Sequence, residues 1–278
     1  MRQLAIAIAV CVFAMAPATA ANPSEIECEH AKLNTEDATP VGTGEWEFEL
    51  SYGLLHSRRQ FDDDWSRVSR PLLREEALGL ALTHGVARDL DLGLAVGYAE
   101  LYDRDTGALD GRGFTDLEVG AKWRFYRDSD SRLELAYTPA VVLPTGRRED
   151  DDRLGLTDDF LSVYNGIAAS KDWGGRWTSN FDLGYSWPIG EDRHDFRGTL
   201  SSNVALGYQL NGWLQPEVEL NYEHEFHHGH DADSLAATAG LIVCLTESVR
   251  LDIGVQRSIA GRNADHGSAA AAALTFAF

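Results

Sequence analysis

The sequence predicts an all-β protein, a transmembrane antiparallel up-and-down β-barrel of about 12 strands. Three observations carry that expectation. Apolar and polar residues alternate with period two in segment after segment, so each strand presents one greasy and one polar face. The connections between these segments alternate between short and long. Past the first 20 residues, no window approaches the roughly 20 consecutive apolar residues of a membrane-spanning helix.

Residues 1–20 carry a basic start (Arg2), an apolar run from Leu4 to Met15 and the small-residue exit Ala18-Thr19-Ala20, the build of a cleavable secretory signal peptide. The mature chain is expected to begin near Ala21. Cys11 lies inside the signal behind Ile8 and Val10, which is not the small-residue context of a lipid-anchored cysteine. Residues 21–43 are expected as a periplasmic N-terminal segment, with the question of whether they plug a lumen from below left open. Residues 44–278 are expected as one barrel.

The first alternating segment sets Trp46, Phe48, Leu50 and Tyr52 against Glu45, Glu47, Glu49 and Ser51. A second sets Leu90, Leu92, Leu94, Val96 and Tyr98 against Asp91 and small residues. A third sets Leu117, Val119, Ala121, Trp123 and Phe125 against Asp116, Glu118, Gly120, Lys122 and Arg124. Later segments follow Leu133 to Tyr137, Phe181 to Trp187, Val204 to Leu210, Val218 to Tyr222, Leu235 to Leu245 and Val249 to Val255. The chain ends on Leu274, Phe276 and Phe278. Weaker patterns around Leu78 to Leu82 and Phe160 to Ala169 bring the count to about 12 strands of roughly ten residues, long enough to cross at a tilt.

Short connections fall at Gly85 to Asp89, Arg127 to Ser131, Asp172 to Arg176, Asn211-Gly212 and Thr246 to Ser248. Long polar ones fall at His56 to Arg70, Leu101 to Arg112, Gly146 to Asp159, Pro188 to Arg197, Phe226 to Asp233 and Ala260 to Gly267. Outer-membrane barrels have short periplasmic turns and long outer loops, so an even strand number places both termini in the periplasm. Trp46, Trp123, Phe125, Trp177, Tyr208 and Phe276 are then expected at the periplasmic interface, and Tyr52, Tyr98, Trp187 and Tyr222 at the outer one. A cell-outer-membrane location in a Gram-negative envelope follows, with lipid and lipopolysaccharide as surroundings.

The formal net charge of −20 excludes a nucleic-acid binder and a polybasic membrane-surface protein. Strand parity sends most of that charge inward: Glu45, Glu47, Glu49, Asp91, Asp116, Glu118, Glu134, Asp182, Glu217, Glu219, Glu223, Glu225 and Asp252 face the lumen, against Lys122, Arg124 and Arg250, with Glu134 set to face Lys122 or Arg124 across their hairpin and Asp252 two residues from Arg250 on the same face. Such a lining suits a passive channel for small solutes that prefers cations or neutral polar-aromatic solutes. The alternatives are a closed structural or adhesive barrel and, from another class, a lipid-modifying enzyme built on His224 or His230 with Ser234. No cofactor and no catalytic residue is expected. Cys28 and Cys244 are expected as unpaired thiols, with pairing left open.

Three stretches resemble one family. They are Thr43-Gly44-Glu45-Trp46-Glu47-Phe48, Gly113-Phe114-Thr115-Asp116-Leu117-Glu118-Val119-Gly120-Ala121-Lys122, and Leu143-Pro144-Thr145-Gly146. The sequence is similar there to the outer-membrane transporters grouped with the meta-pathway of phenol degradation, with Thr115 standing where that pattern prefers glycine. The resemblance implies a channel, with aromatic compounds as a permeant class. The ending at Phe278 also looks like the terminal signal read by the barrel-assembly machinery.

Two loops gather chemistry-bearing residues. Glu223 to Asp231 holds four histidines, of which His227, His228 and His230 are the metal-ligand candidates for Zn, Cu or Ni; the alternative is a polar loop tip. Glu149 to Asp152 with Asp158 and Asp159 is acidic but lacks the ordered spacing of a calcium loop, so a solvated loop is favoured there.

Overall fold

The computed structural model describes residues 33–106, 109–149, 153–190 and 195–278. The strands are β1 (Trp46–Phe61), β2 (Arg67–Ala87), β3 (Leu90–Asp103), β4 (Leu109–Phe114), β5 (Leu117–Asp128), β6 (Leu133–Leu143), β7 (Leu161–Asp172), β8 (Trp177–Ile189), β9 (Phe196–Tyr208), β10 (Leu214–His227), β11 (Ala232–Thr246), β12 (Val249–Arg262) and β13 (Asp265–Ala277). All pairings are antiparallel, and the sheet closes where β1 meets β13, with Glu47 opposite Ala277 and Leu50 opposite Leu274. Both β4 and β5 pair with β3, Tyr98 opposite Phe114 and Leu94 opposite Val119, so they are two halves of one wall strand. The barrel therefore has the 12 wall positions expected from the alternation.

The break between β4 and β5 has a local cause. Thr115 N donates to Gly97 O at 2.9 Å, and the Thr115 hydroxyl accepts from Gly97 N at 2.9 Å, so a side-chain oxygen stands in for a ladder carbonyl. A Cβ on residue 97 would lie 2.8 Å from that hydroxyl, which explains a glycine at this position.

The core is inverted relative to a soluble protein. Leu92, Leu94, Val119, Leu183, Val218, Leu220, Ile253 and Val255 point outward and are 40–60% exposed in the isolated chain, the signature of a surface made for lipid. The buried residues on the inner face include Asp91, Asp182, Glu217, Glu219, Thr238 and Asp252. The aromatic residues cap this band at both ends. Trp177 packs on Tyr208 at 4.7 Å beside the short turns, and Tyr98 packs edge-on against Phe114 at 5.6 Å near the long connections.

Several strands run further than expected. The segment taken as a loop from His56 to Arg70 is mostly strand: Arg59 pairs with Ser69 and Phe61 with Arg67 around a turn at Asp62 to Ser66. Likewise β10 reaches His227 and β12 reaches Arg262. Above the apolar band no greasy face is required, so the ladder continues in polar sequence that alternation alone cannot detect.

Candidate functional site

Residues 33–41 thread the barrel interior without regular structure. An irregular segment cannot satisfy its own backbone N–H groups, and buried ones need acceptors. The acidic wall supplies them. Leu33 N donates to Glu217 at 3.3 Å, Asn34 N and Thr35 N to Glu219 at 2.9 and 3.0 Å, Glu36 N to Asp182 at 2.8 Å, and Val41 N to Asp91 at 2.8 Å. The plug's own acids meet the wall's base: Lys122 pairs with Glu36 at 2.8 Å and with Asp37, and its ammonium reaches Thr39 O at 3.4 Å. Ala38, Ala136 and Ala168 are fully buried together, small side chains that let plug and wall approach. Of the segment expected at 21–43, residues 33–41 lie inside the barrel, which answers the question of a plug that the sequence left open.

Around the plug the wall is cross-linked by polar side chains. Asn203, Asn221, Thr238 and Gln256 form a ladder over β9 to β12, with Asn221 bonded to Asn203 at 3.1 Å and Thr238 donating to Asn221 at 2.8 Å. Neutral amides at inward parity positions were the signal for this network, and a search for charges alone passes over them. Toward the chain termini, Arg250 pairs with Asp252 at 2.9 Å, and Arg124 bridges Glu134 at 2.8 Å and Asp89 at 2.7 Å. Thr275 approaches Glu49 at 3.5 Å on the inner face. Glu45 departs from expectation: it precedes β1, and its carboxylate packs over Gly42 in the turn where the plug joins the wall.

The opposite end is shaped by the segment between β6 and β7. It was expected to be an exposed outer loop, yet Leu154 and Phe160 are buried and Arg147 N bonds to Phe114 O at 3.0 Å. Asp116 anchors it, accepting from Gly146 N at 2.8 Å and Asp158 N at 3.2 Å, so this carboxylate holds a loop rather than lining an open pore. Burial pushes the Asp158 carboxyl up to about 6, and the nearby charges of Asp116, Glu225 and Asp159 act in the same direction. Phe160 stacks on Phe196 at 5.6 Å, and Phe196 meets His227 at 5.4 Å. Glu118 remains exposed on the inner face above the plug, and Glu223 sits on β10 beside Glu225.

The metal candidates do not converge. His227 Nε2 lies 3.1 Å from Glu225, His228 is placed by its backbone N–H on Asp195 O at 2.9 Å, and His230 is 77% exposed with Asp63 at 3.6 Å. Among the described residues no group of three or more His, Cys, Asp or Glu side chains is arranged to hold a metal ion. The Ser234–His224 pairing fails as well. Ser234 is opposite Glu223 and His224 opposite Asp233, so Ser234 and His224 lie on opposite faces of the wall, and His224 Nδ1 is bonded to Asp233 at 2.7 Å. Cys244 is buried on the inner side of β11 and disulfide-bonded, which corrects the expectation of an unpaired thiol. Cys11 and Cys28 lie outside the described residues.

A closed barrel with an apolar outside, aromatic girdles and a polar, plugged inside defines the class of outer-membrane-type channel barrels. Residues 78–274 match the family model described as "Putative MetA-pathway of phenol degradation", and the chain belongs to that family. Among solved structures, the COG4313 outer membrane channel from Pseudomonas putida F1 superposes with a TM-score of 0.78 at 17% identity, covering 89% of this chain and 100% of that one. The NanC and KdgM porins each superpose with a TM-score of 0.50 at 8% identity, covering 81% and 83% of this chain and 98% and 99% of theirs. At these identities the likeness concerns the barrel fold. Nothing matches among curated proteins.

Proposed function

We propose that the chain is a passive outer-membrane channel for small solutes, with aromatic compounds as its permeant class, closed at rest by residues 33–41 and inserted with its termini toward the periplasm. The observation that carries this reading is the mode of attachment of the plug. Along residues 33–41 the hold on the wall consists of hydrogen bonds, ion pairs and small-residue packing. A segment bound in this way without regular structure can leave and return, whereas a permanently filled barrel would have no need of a removable peptide. Family membership supports the permeant class, and the long connections opposite the termini support the orientation. Signal-peptide export and assembly through the terminal Phe278 belong to the same reading.

Single-channel recording of the refolded barrel, with and without residues 33–43, tests it. The intact chain should be mostly closed with brief openings, and the truncated chain should conduct steadily. A phenolic solute should interrupt the steady current in a concentration-dependent way. A truncated barrel that folds and never conducts would overturn the channel reading in favour of a structural barrel.

A further inference from the structure

The outward face at the rim opposite the termini is basic, although the chain as a whole is strongly acidic. Ala237, Arg257, Ser268 and His56 are successive cross-strand partners on β11, β12, β13 and β1, so they form one row on the outer surface. Arg257 and His56 are exposed, and the Arg257 guanidinium is steadied by Ser268. Below this row lies an apolar groove of about 910 Å³, lined by Leu54, Val218, Leu220, Ala239, Val255 and Ala270 among others, with Arg257 and His56 at its polar edge. Alanines on β11 and β13 form its floor between larger side chains. Beyond His56 the register of β1 against β13 shifts between Ser57 and Gln60, which turns Arg59 to the outer face, where the Arg59 and Arg257 guanidinium groups both lie near His266. Arg59 is exposed, and its side chain makes no hydrogen bond or ion pair among the described residues.

We propose that this face is a binding site for a phosphorylated glycolipid of the outer leaflet, with a phosphate held by Arg59, His56 and Arg257 and an acyl chain lying in the groove beneath them. The charge argues for the headgroup: guanidinium groups match phosphate oxygens with paired N–H donors, and exposed basic residues at a membrane surface recruit anionic lipid heads. The groove argues for a lipid rather than a soluble anion, because its apolar lining is continuous with the band that faces the membrane. The proposal rests on the orientation given above, in which this rim is the outer one.

The test uses the full refolded chain in detergent, with bisphosphorylated hexa-acyl lipid A as the probe and native mass spectrometry as the readout of bound lipid. One lipid A per barrel should be retained. Arg59→Ala/Arg257→Ala should weaken retention at least about tenfold, with an intermediate loss for Arg59→Lys/Arg257→Lys. The conductance of the truncated barrel serves as the folding control and reports on the channel reading separately. On the unmodified chain, enzymatically dephosphorylated lipid A should lose the same factor, which decides the matter even if a double variant fails to fold. Retention within twofold for the double variant or for the dephosphorylated lipid overturns the site. Displacement of lipid A by inorganic pyrophosphate at equal concentration would also overturn it, since the groove would then contribute nothing.

Discussion

Glu219 grips Asn34 with both carboxylate oxygens: one accepts the Asn34 backbone N–H at 2.9 Å, the other its side-chain amide at 2.9 Å. The first oxygen also accepts Thr35 N at 3.0 Å, so one wall carboxylate takes three donors from the plug. Hydrogen bonds to a charged group contribute about 1.5–3 kcal/mol each. Glu219→Gln keeps the shape but removes the charge and one acceptor. Its expected effect is about 1.4 kcal/mol or more on plug seating, about tenfold in open probability. Planar-bilayer recording of the full chain checks this, and an unchanged closed fraction in a folded variant would show that the plug is held elsewhere.

Cys244 places a second hold on the interior. Its disulfide is on the inner face of β11, where Gly240 abuts the Leu33 side chain. Removing the covalent tie should lengthen openings without unfolding the wall, since β11 keeps full ladders to β10 and β12. Recordings before and after dithiothreitol should differ for the native chain and coincide for Cys244→Ser. Identical traces for the native chain in both conditions count against any restraint by this bond.

The wall was legible in the sequence and the plug was not, for one physical reason. A wall strand in lipid must alternate, so Leu94 and Val119 were assigned outward from spacing alone, and their cross-strand pairing agrees. Arg124 with Glu134 and Arg250 with Asp252 also followed from parity and proximity. Residues 33–41 carry no period, because their bonds go from backbone to distant side chains, and no local pattern encodes such partners. Asp116 misled for the same reason: its parity is inward, but its partners are backbone N–H groups 30 and 42 residues away.

The lipid face yields a graded stability test. Arg at Leu94 or Val119 should cost about 2–4 kcal/mol near mid-membrane. Arg at neighbouring Ala95 faces the lumen beside Glu118 and should escape that penalty. Urea titration of barrels folded into bilayers measures the difference, and equal losses at Leu94 and Ala95 would refute the assigned faces.

Asp158 gives the mouth a pH dependence. Its carboxyl is raised from an ordinary 3.8 to about 6 in the seated loop, so the seat favours the protonated form. The stabilisation of this arrangement is fully present below the ordinary value and is lost as pH rises through about 6. Carboxylates facing it, Asp116 from the wall break, Glu225 from β10 and Asp159 beside it, push in the same direction. The loop should resist protease at pH 5 and become more accessible at pH 8, and Asp158→Asn should flatten that change. Protection that increases with pH would contradict the assignment.

Ion preference is decided by the acids that the plug and wall leave in contact with water. The sequence pointed to Glu217, Glu219 and Glu223 together, but Glu217 and Glu219 are buried against the plug and accept its N–H groups. While residues 33–41 are seated, those charges are shielded from permeating ions. Glu118 is exposed on the inner face, and Glu223 lies across the lumen on β10. A low-dielectric wall lined by one sign of charge concentrates counter-ions, and rings of acidic side chains select cations. During brief openings of the intact chain, reversal potentials under a KCl gradient should therefore lie on the potassium side, and Glu118→Gln/Glu223→Gln should move them toward zero. In the barrel lacking residues 33–43, Glu217 and Glu219 become exposed, so cation preference should rise and the Glu217→Gln/Glu219→Gln pair should now matter as well. A chloride-side potential in either form would refute this reading of the lumen charge, and equal sensitivity of the intact chain to both pairs would show that the plug does not cover Glu217 and Glu219 in solution.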